Sequence, residues 1–591
     1  MTDEKNSREL TATPVDLDEL PAGYYCSKNF VGSLIAVCLM AISLYLGYVL
    51  PVNSLSAINA DLGPDPSYSL ISTVFTLISG VGLLLVGRLG DLFGRRYILI
   101  GGQLLGLIGA IVCATAKTVP TVIGGSVLCG LAAAVQLTFS FVIAELVPNR
   151  ARPVVNAGIF ITTLPFSAFG SLIADLFIAN TARSWRWTYY LNIITCGLSI
   201  ILLVLFYFPP GWDAKRGNES RIDGLKKFDY IGFLLYAGGL ILVLLGLCES
   251  PVPALTRSFQ GANSIPSAWG GSSYAWHSAH VIAVLVIGFV CLLAFALYEI
   301  FVPLQQPLLP MSLLRNRGYA GAVCSALVGN MVYFSMSLLW PTAIADLYTT
   351  NTIKTGWLSI STGAGVIVGE VAAGILMKPV GYTKYQLIIT TLMITAFSGA
   401  LASINQYRQA YGIAFTALGG FFVGYLELIT IIMCPLYCSP LDIGLASGFL
   451  GSAKQVAGTI ATAIYVAILD NRVTVDLPRD VSAAALNAGL PSSSLTDLLE
   501  AVSAGTTAAY EAVPGMTNGI LGAVTEAVKT AYSQSFRTVF LASIAFGGLS
   551  VIAACFAEGV DGRFTGDVAA RLKGVDGGGS GSEEKLKDGE V

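Results

Sequence analysis

The sequence predicts an all-α polytopic membrane protein of about fourteen transmembrane helices, in two pseudo-symmetric six-helix bundles with a further helix pair inserted between them. Three observations carry that reading. Of the 591 residues, 54% are hydrophobic and only 12% charged, and the mean hydropathy is +0.71. Such a chain has too little polar surface to cover a water-soluble globule. Fourteen apolar runs have the length of roughly 20 residues that a bilayer crossing requires. The segment Gly87-Arg-Leu-Gly-Asp91-Leu-Phe-Gly94-Arg95-Arg96, between the second and third runs, has a faded counterpart between the tenth and eleventh. This is Gly374-Ile-Leu-Met-Lys378-Pro-Val-Gly381-Tyr-Thr-Lys384, in which the glycines keep their separation and a lysine replaces the aspartate. Paired halves of this kind suit bundles that rock about a central site.

In chain order the spans are expected at Phe30–Leu50, Ser69–Val86, Tyr97–Ala116, Thr121–Val142, Val154–Ile178, Thr188–Phe208, Tyr230–Cys248, Val281–Phe301, Tyr319–Ala345, Thr355–Met377, Gln386–Ala402, Tyr411–Met433, Leu441–Leu469 and Phe536–Phe556. They divide the chain into an N-terminal tail (1–29), an N-terminal six-helix bundle (30–208), a linker with the inserted pair (209–302), a C-terminal six-helix bundle (303–556) and a C-terminal tail (557–591). The tails are polar, with a Gly/Ser-rich run from Gly577 to Glu583, and are expected to be disordered. Segment 471–535 reads as a long extracytoplasmic loop whose alanine-rich stretches form short helices over the pore mouth.

Arg88, Arg95 and Arg96; Arg150 and Arg152; Lys215, Arg216, Arg221, Lys226 and Lys227; Arg315 and Arg317; and Lys378 and Lys384 fall in alternate loops on the side of the N-terminus. Basic loops stay in the cytoplasm, so both termini are expected there. The acceptor Asn218-Glu219-Ser220 then faces the cytoplasm and stays unmodified. The polar N-terminus does not read as a cleaved secretory signal, and the first span serves for insertion.

Other classes are poorly served by these residues. With a net charge of -3 and basic residues scattered over short loops, no nucleic-acid partner is expected. Most of the eleven cysteines lie in apolar runs and imply no disulfide framework. Cys434 with Cys438, or His277 with His280, falls short of a ligand set, so no metal and no cofactor are expected. Neither a nucleophile–base pair nor a phosphate-binding glycine loop with Lys-Ser/Thr is apparent, which argues against an enzyme and against a self-contained ATP-driven pump.

The motif Gly87, Asp91, Gly94, Arg95 and Arg96 is the most informative stretch. Its glycines allow a tight turn, Asp91 is expected where the next helix begins, and the arginines sit at an anionic leaflet. The spacing resembles the signature loop of the major facilitator superfamily. Gly130-Leu-Ala-Ala-Ala-Val-Gln136 through Ala144-Glu145-Leu-Val-Pro148-Asn-Arg150, Leu164-Pro165-Phe-Ser-Ala-Phe-Gly170 and Trp185-Arg186-Trp187-Thr-Tyr-Tyr190-Leu-Asn192 further resemble the fungal trichothecene efflux pump family, a branch close to fungal siderophore-iron transporters. That resemblance, from about Val31 to Phe564, implies a proton-coupled transporter. It would export a hydrophobic or amphipathic secondary metabolite or toxin across the plasma membrane by alternating access. Siderophore-iron uptake is the alternative within the class, and a non-transporting receptor on the same scaffold is the alternative outside it. Two departures matter: Ser126 stands where related antiporters carry a membrane-embedded arginine, and the fifth-helix motif retains only Gly158, Pro165 and Gly170.

Ionisable groups deep in a span are expensive and mark function. Glu370 and Glu427 are therefore the proton-coupling candidates, with helix packing as the alternative role. Lys454, next to Gln455, is placed to pair with either glutamate, to hold an anionic group or to snorkel. The expected cavity wall comprises Tyr45, Tyr48, Asn53, Gln136, Phe166, Asn330, Tyr333, Trp340, Tyr425, Lys454 and Gln455. Apolar walls with a few hydrogen-bonding groups suit a bulky organic molecule. Trp185-Arg186-Trp187 reads as an interfacial anchor or an exit gate, and Pro165 and Pro341 as helix bends. The expected partners are lipid, protons and a small amphipathic substrate, and the chain is read as a monomer.

Overall fold

The computed structural model describes residues 24–209, 228–248 and 279–564, apart from positions 64, 66, 69, 303, 305, 350, 439–441, 505 and 506. Tail residues 1–23 and 565–591, linker residues 210–227 with their five basic residues and Asn218, and His277 lie outside the described residues, as does the side chain of His280; the described parts of the two tails are ordered rather than disordered, Tyr24 and Val560 being buried and Asp561 accepting from the Thr383 N–H. Among the described residues, fourteen helices are long and apolar enough to cross a membrane. Spans 1 to 6 are Lys28–Asn53, Leu70–Phe93, Arg95–Ala114, Val119–Gln136 with Phe139–Leu146, Arg152–Ser167 with Gly170–Asn180, and Arg186–Phe206. Spans 7 and 8 are Tyr230–Cys248 and Ala279–Phe301. Spans 9 to 14 are Arg317–Leu347, Thr352–Val380, Thr383–Ala400, Gln409–Leu436, Ile443–Asn487 and Asn518–Phe556.

Helix starts follow local chemistry. Ser27, Asn316, Asn351 and Thr517 each accept a hydrogen bond from a backbone N–H in the first turn of spans 1, 9, 10 and 14, satisfying donors that a helix leaves unpaired. Span 4 breaks at Leu137–Thr138, and span 5 at Ala168–Phe169, three residues past Pro165. Pro341, by contrast, lies within the uninterrupted helix of span 9.

The two halves pack alike. In the first, span 1 meets spans 5 and 6, span 2 meets span 4, and span 3 meets spans 4 and 6. In the second, span 9 meets spans 13 and 14, span 10 meets span 12, and span 11 meets spans 12 and 14. Between halves the pairing is reciprocal: span 2 lies on span 13 and span 5 on span 10. Span 7 packs on spans 2 and 13 as well as on span 8.

Helix was expected within the loop over 471–535, but much of it is continuous with spans 13 and 14, which corrects the expected bounds of those spans. Span 13 runs 45 residues to Asn487, and span 14 starts at Asn518. Val473, Leu477, Val481 and Ala485 are all buried at helical spacing, so the apolar stripe outlasts the hydropathic stretch. Together with Ile520 and Val524 of span 14 and Leu498 and Val502 of the short helix Leu495–Ala504, they belong to the main buried cluster.

Candidate functional site

Asp91 lies in the last turn of span 2 rather than at the start of span 3, which corrects the expected placement. Its carboxylate crosses to the other half of the molecule. Oδ1 accepts from the Gly444 N–H at 3.1 Å and Oδ2 from the Leu445 N–H at 2.7 Å. These amides precede the bond from the Ala446 N–H to the Asp442 carbonyl, so Asp91 caps the N-terminus of span 13 from a different helix, where the helix dipole favours an anion. Arg95 Nη2 stands 3.5 Å from Asp91 Oδ1 and 3.2 Å from Glu145 Oε1. Arg96 turns away, donating to the Val204 carbonyl at 3.0 Å with its guanidinium 3.8 Å over the Phe208 ring.

The glycines of the motif and of its copy do the same two jobs. Gly94 has φ +83° and Gly381 φ +63°, a backbone region that side chains rarely adopt. Gly87 lies against the backbone of Gly444 and Gly448, and Gly374 against the Pro153 carbonyl and Ala157. The first contact joins span 2 to span 13 and the second joins span 10 to span 5, so each copy brings its half into backbone contact with the other. Lys378 is exposed and has no part equivalent to that of Asp91.

Deeper in the molecule, Lys454 Nζ meets Glu427 Oε1 at 2.5 Å, and Asn330 Nδ2 donates to the Lys454 carbonyl at 2.8 Å. Glu370 is 1% exposed, and its Oε2 has no hydrogen-bond partner. Glu370, Glu427 and Lys454 lie nine to eleven residues from the same ends of spans 10, 12 and 13. That corresponds to about 14–16 Å of rise, close to the middle of a hydrocarbon layer of about 30 Å. Tyr45 faces Thr163 and lies within electrostatic reach of both glutamates, as does Tyr333, which also neighbours Tyr48. Beside the ion pair a cleft is lined by Ala326, Gly329, Asn330, Val423, Leu426, Glu427, Thr430 and Lys454. A second cleft, in the other half, is lined by Tyr48, Ser72, Phe75, Ser126, Cys129 and Tyr189 among others. Ser126 itself donates to the Val122 carbonyl at 2.9 Å.

Other expected wall residues make contacts within or between helices. Gln136 donates to Gln103 Oε1 at 3.1 Å inside the first bundle, where Gln103 reaches Ser199. Tyr425 donates to Gln386 Oε1 at 2.5 Å, and Gln386 holds the Met377 and Gly381 carbonyls at the turn between spans 10 and 11. Trp340 is fully buried and donates to the Leu358 carbonyl at 3.2 Å. Phe166 packs beside Leu46 and Leu50, Asn53 bonds the Val49 carbonyl in its own helix, and Gln455 packs over Gly80 of span 2.

At the opposite end from Asp91, Trp185 Nε1 and Arg186 Nη1 both donate to Asp61 Oδ2, at 3.0 and 2.6 Å. The Arg186 guanidinium stacks over Trp185, 4.3 Å from its centroid. Trp185 itself is fully buried, whereas Trp187 is exposed. The hydrogen bonds from Arg186 and Trp185 hold the Asp61 carboxyl below the usual carboxylate range.

The sequence reading missed the face of span 13 that meets span 2. Gly444, Gly448 and Ser452 recur every four residues along it, a small-residue stripe that lets helices approach closely. Ser452 is fully buried and donates to the Gly80 carbonyl at 2.6 Å.

The family model described as the fungal trichothecene efflux pump matches residues 2–576. A trichothecene efflux pump of Fusarium sporotrichioides is 30% identical over 562 residues, covering 94% of this chain and 90% of that protein. One of Trichoderma arundinaceum is 28% identical over 586 residues, covering 96% and 93%. Among solved structures, a proton:xylose symporter aligns with a TM-score of 0.51 at 14% identity, covering 91% of this chain and 98% of that one. The human organic anion transporter MFSD10 aligns with a TM-score of 0.50 at 10% identity, covering 88% and 100%. At these identities the structural likeness establishes the major facilitator fold.

Proposed function

The chain belongs to the fungal trichothecene efflux pump family, a branch of the major facilitator transporters, and from that premise we propose that it is a proton-coupled exporter working by alternating access. It is a transporter and not an enzyme. Its cargo is a trichothecene-like secondary metabolite or toxin, by analogy with the relatives' names. The membrane is the plasma membrane, and the Asp91 end faces the cytoplasm, in keeping with the basic loops at that end. The relatives named above are efflux pumps, and none of these observations favours siderophore uptake.

One observation carries the coupling: a buried glutamate with an unpartnered carboxyl oxygen, near a glutamate–lysine pair in the middle of the spans. An isolated carboxylate there is costly, which suits Glu370 to carry a proton, while Lys454 balances the charge of Glu427. Substrate entering the adjacent cleft, or a change of the face open to water, alters the surroundings of both carboxyls and so moves the proton. The Asp91 contact to span 13 holds the halves together at one end during part of this cycle.

The test uses the full chain in vesicles, a labelled trichothecene and an imposed pH gradient. Wild type accumulates substrate against its gradient. Glu370→Gln or Glu427→Gln keeps shape but cannot cycle a proton, so uphill accumulation disappears while downhill exchange continues. If both variants concentrate substrate as steeply as wild type, coupling by these carboxyls is wrong.

A further inference from the structure

The inserted helix pair is outside the six-plus-six frame, yet it does not sit idle at the periphery. Tyr236 of span 7 is buried, and its hydroxyl lies 2.5 Å from Ser452 Oγ of span 13. Ser452 in turn donates to the Gly80 carbonyl of span 2 at 2.6 Å. A carbonyl can only accept, so the single serine hydrogen goes to Gly80, and Tyr236 must be the donor to Ser452. The chain Tyr236 to Ser452 to Gly80 therefore joins three bodies: the inserted pair, the C-terminal half and the N-terminal half.

Apolar packing runs along the same seam. Leu77, Val81 and Leu84 of span 2, Leu445 of span 13, and Ala237, Leu240 and Leu244 of span 7 share one buried cluster. Span 8 behaves differently. Its Val286, Phe289, Val290 and Leu293 are exposed, as a lipid-facing surface would be. Span 7 is thus the working member of the pair, set over the joint where spans 2 and 13 meet.

We propose that span 7 is a brace across the joint between the halves, with Tyr236 and Ser452 as positioning residues that favour the conformer in which the Asp91 end is closed. The proposal rests on the alternating-access reading above. Because spans 2 and 13 belong to different halves, rocking changes the distance between Gly80 and Ser452. Span 7 cannot then keep both of its partners. The brace consequently adds to the closed state and is lost, in whole or part, on opening. Its presence makes the fourteen-span architecture a means of setting the resting conformation, independent of the residues that touch substrate or proton.

The test places spin labels, through ketone-bearing amino acids that spare the native cysteines, at Tyr97 and Tyr382. These are 71% and 72% exposed and lie at the starts of spans 3 and 11, one in each half at the Asp91 end. Distance distributions are recorded on the full chain in lipid nanodiscs. Wild type has a dominant short distance and a minor long one. Tyr236→Phe keeps the ring but removes the donor, and raises the long-to-short ratio about threefold to tenfold, the range for one buried hydrogen bond. Ser452→Ala removes both bonds and raises it at least as much, whereas Phe289→Leu on the lipid face of span 8 leaves it unchanged. A ratio unchanged in both Tyr236→Phe and Ser452→Ala, or shifted toward the short distance, overturns the brace alone. A wild type that keeps one distance under every substrate and pH condition overturns alternating access and the brace with it.

Discussion

Replacing Asp91 by asparagine tests a contact that crosses between the halves, from span 2 to the start of span 13. In the native protein one carboxylate serves two amides, Gly444 N–H at 3.1 Å and Leu445 N–H at 2.7 Å, and also neighbours Arg95 at 3.5 Å. Asparagine has a single acceptor oxygen, and its NH2 would face one of those amides donor to donor. One charge-assisted hydrogen bond is lost outright, worth about 1.5–3 kcal/mol, and the favourable term between the anion and the helix N-terminus goes with it. The closed conformer should lose about 10- to 150-fold in relative population. Arg95 retains Glu145 at 3.2 Å, so the local fold of the turn survives. Hydrogen exchange of the peptide over 442–450 reads the effect directly, because its Gly444 and Leu445 amides depend on Asp91. Their exchange should accelerate by that factor while the segment around Trp185 is unaltered, and flux at matched surface abundance should fall. Unchanged exchange and unchanged flux would refute the reasoning.

Two further outcomes follow from local geometry. A Cβ at Gly374 would collide with Ala157 and the Pro153 carbonyl, whereas one at Gly158 meets nothing within 4 Å. Gly374→Ala should therefore cost about 1–3 kcal/mol of packing between spans 5 and 10, seen as a lower melting temperature and reduced transport, while Gly158→Ala should match wild type; equal behaviour of the two would contradict the close approach. The Asp61 carboxyl is held low by Arg186 and Trp185, so its stabilising effect is complete above the ordinary carboxylate value of about 3.9 and is lost as pH falls through the lowered folded value. Melting temperature should show no Asp61-dependent change between pH 7 and about 5, and Asp61→Asn should narrow the gap to wild type only in more acidic buffer.

Hydropathy made all fourteen spans legible, because lipid imposes length and apolarity on any crossing helix. Glycine spacing likewise exposed the repeated turn. What hydropathy could not convey was where span 13 stops, since Val473 to Ala485 continue the helix in a part of the molecule where amphipathic packing, rather than lipid, sets the pattern. The site was legible in part for a similar reason. Glu370, Glu427 and Lys454 stand out because charge inside a span is costly. Gln136 and Tyr425 looked equivalent to Asn330 and Tyr333, yet an amide or a phenol is as useful between packed helices as on a cavity wall. Sequence gives no rule for the choice. The partner of Asp91, 353 residues further on, is beyond local pattern altogether.

The unbroken length of span 13 turns a small event at one end into a large one at the other. From Ile443, beside Asp91, to Leu477 the helix rises about 50 Å before it reaches Pro478. If that shaft tilts by about 10°, Leu477 moves about 9 Å relative to Ile443, and the helix Leu495–Ala504 and the start of span 14 packed near it are carried along. The helical projection is therefore the far arm of a lever. Under the alternating access proposed above, release of Asp91 at one end of the molecule would become a displacement at the other wide enough to uncover or obstruct a mouth there, without any segment having to unfold.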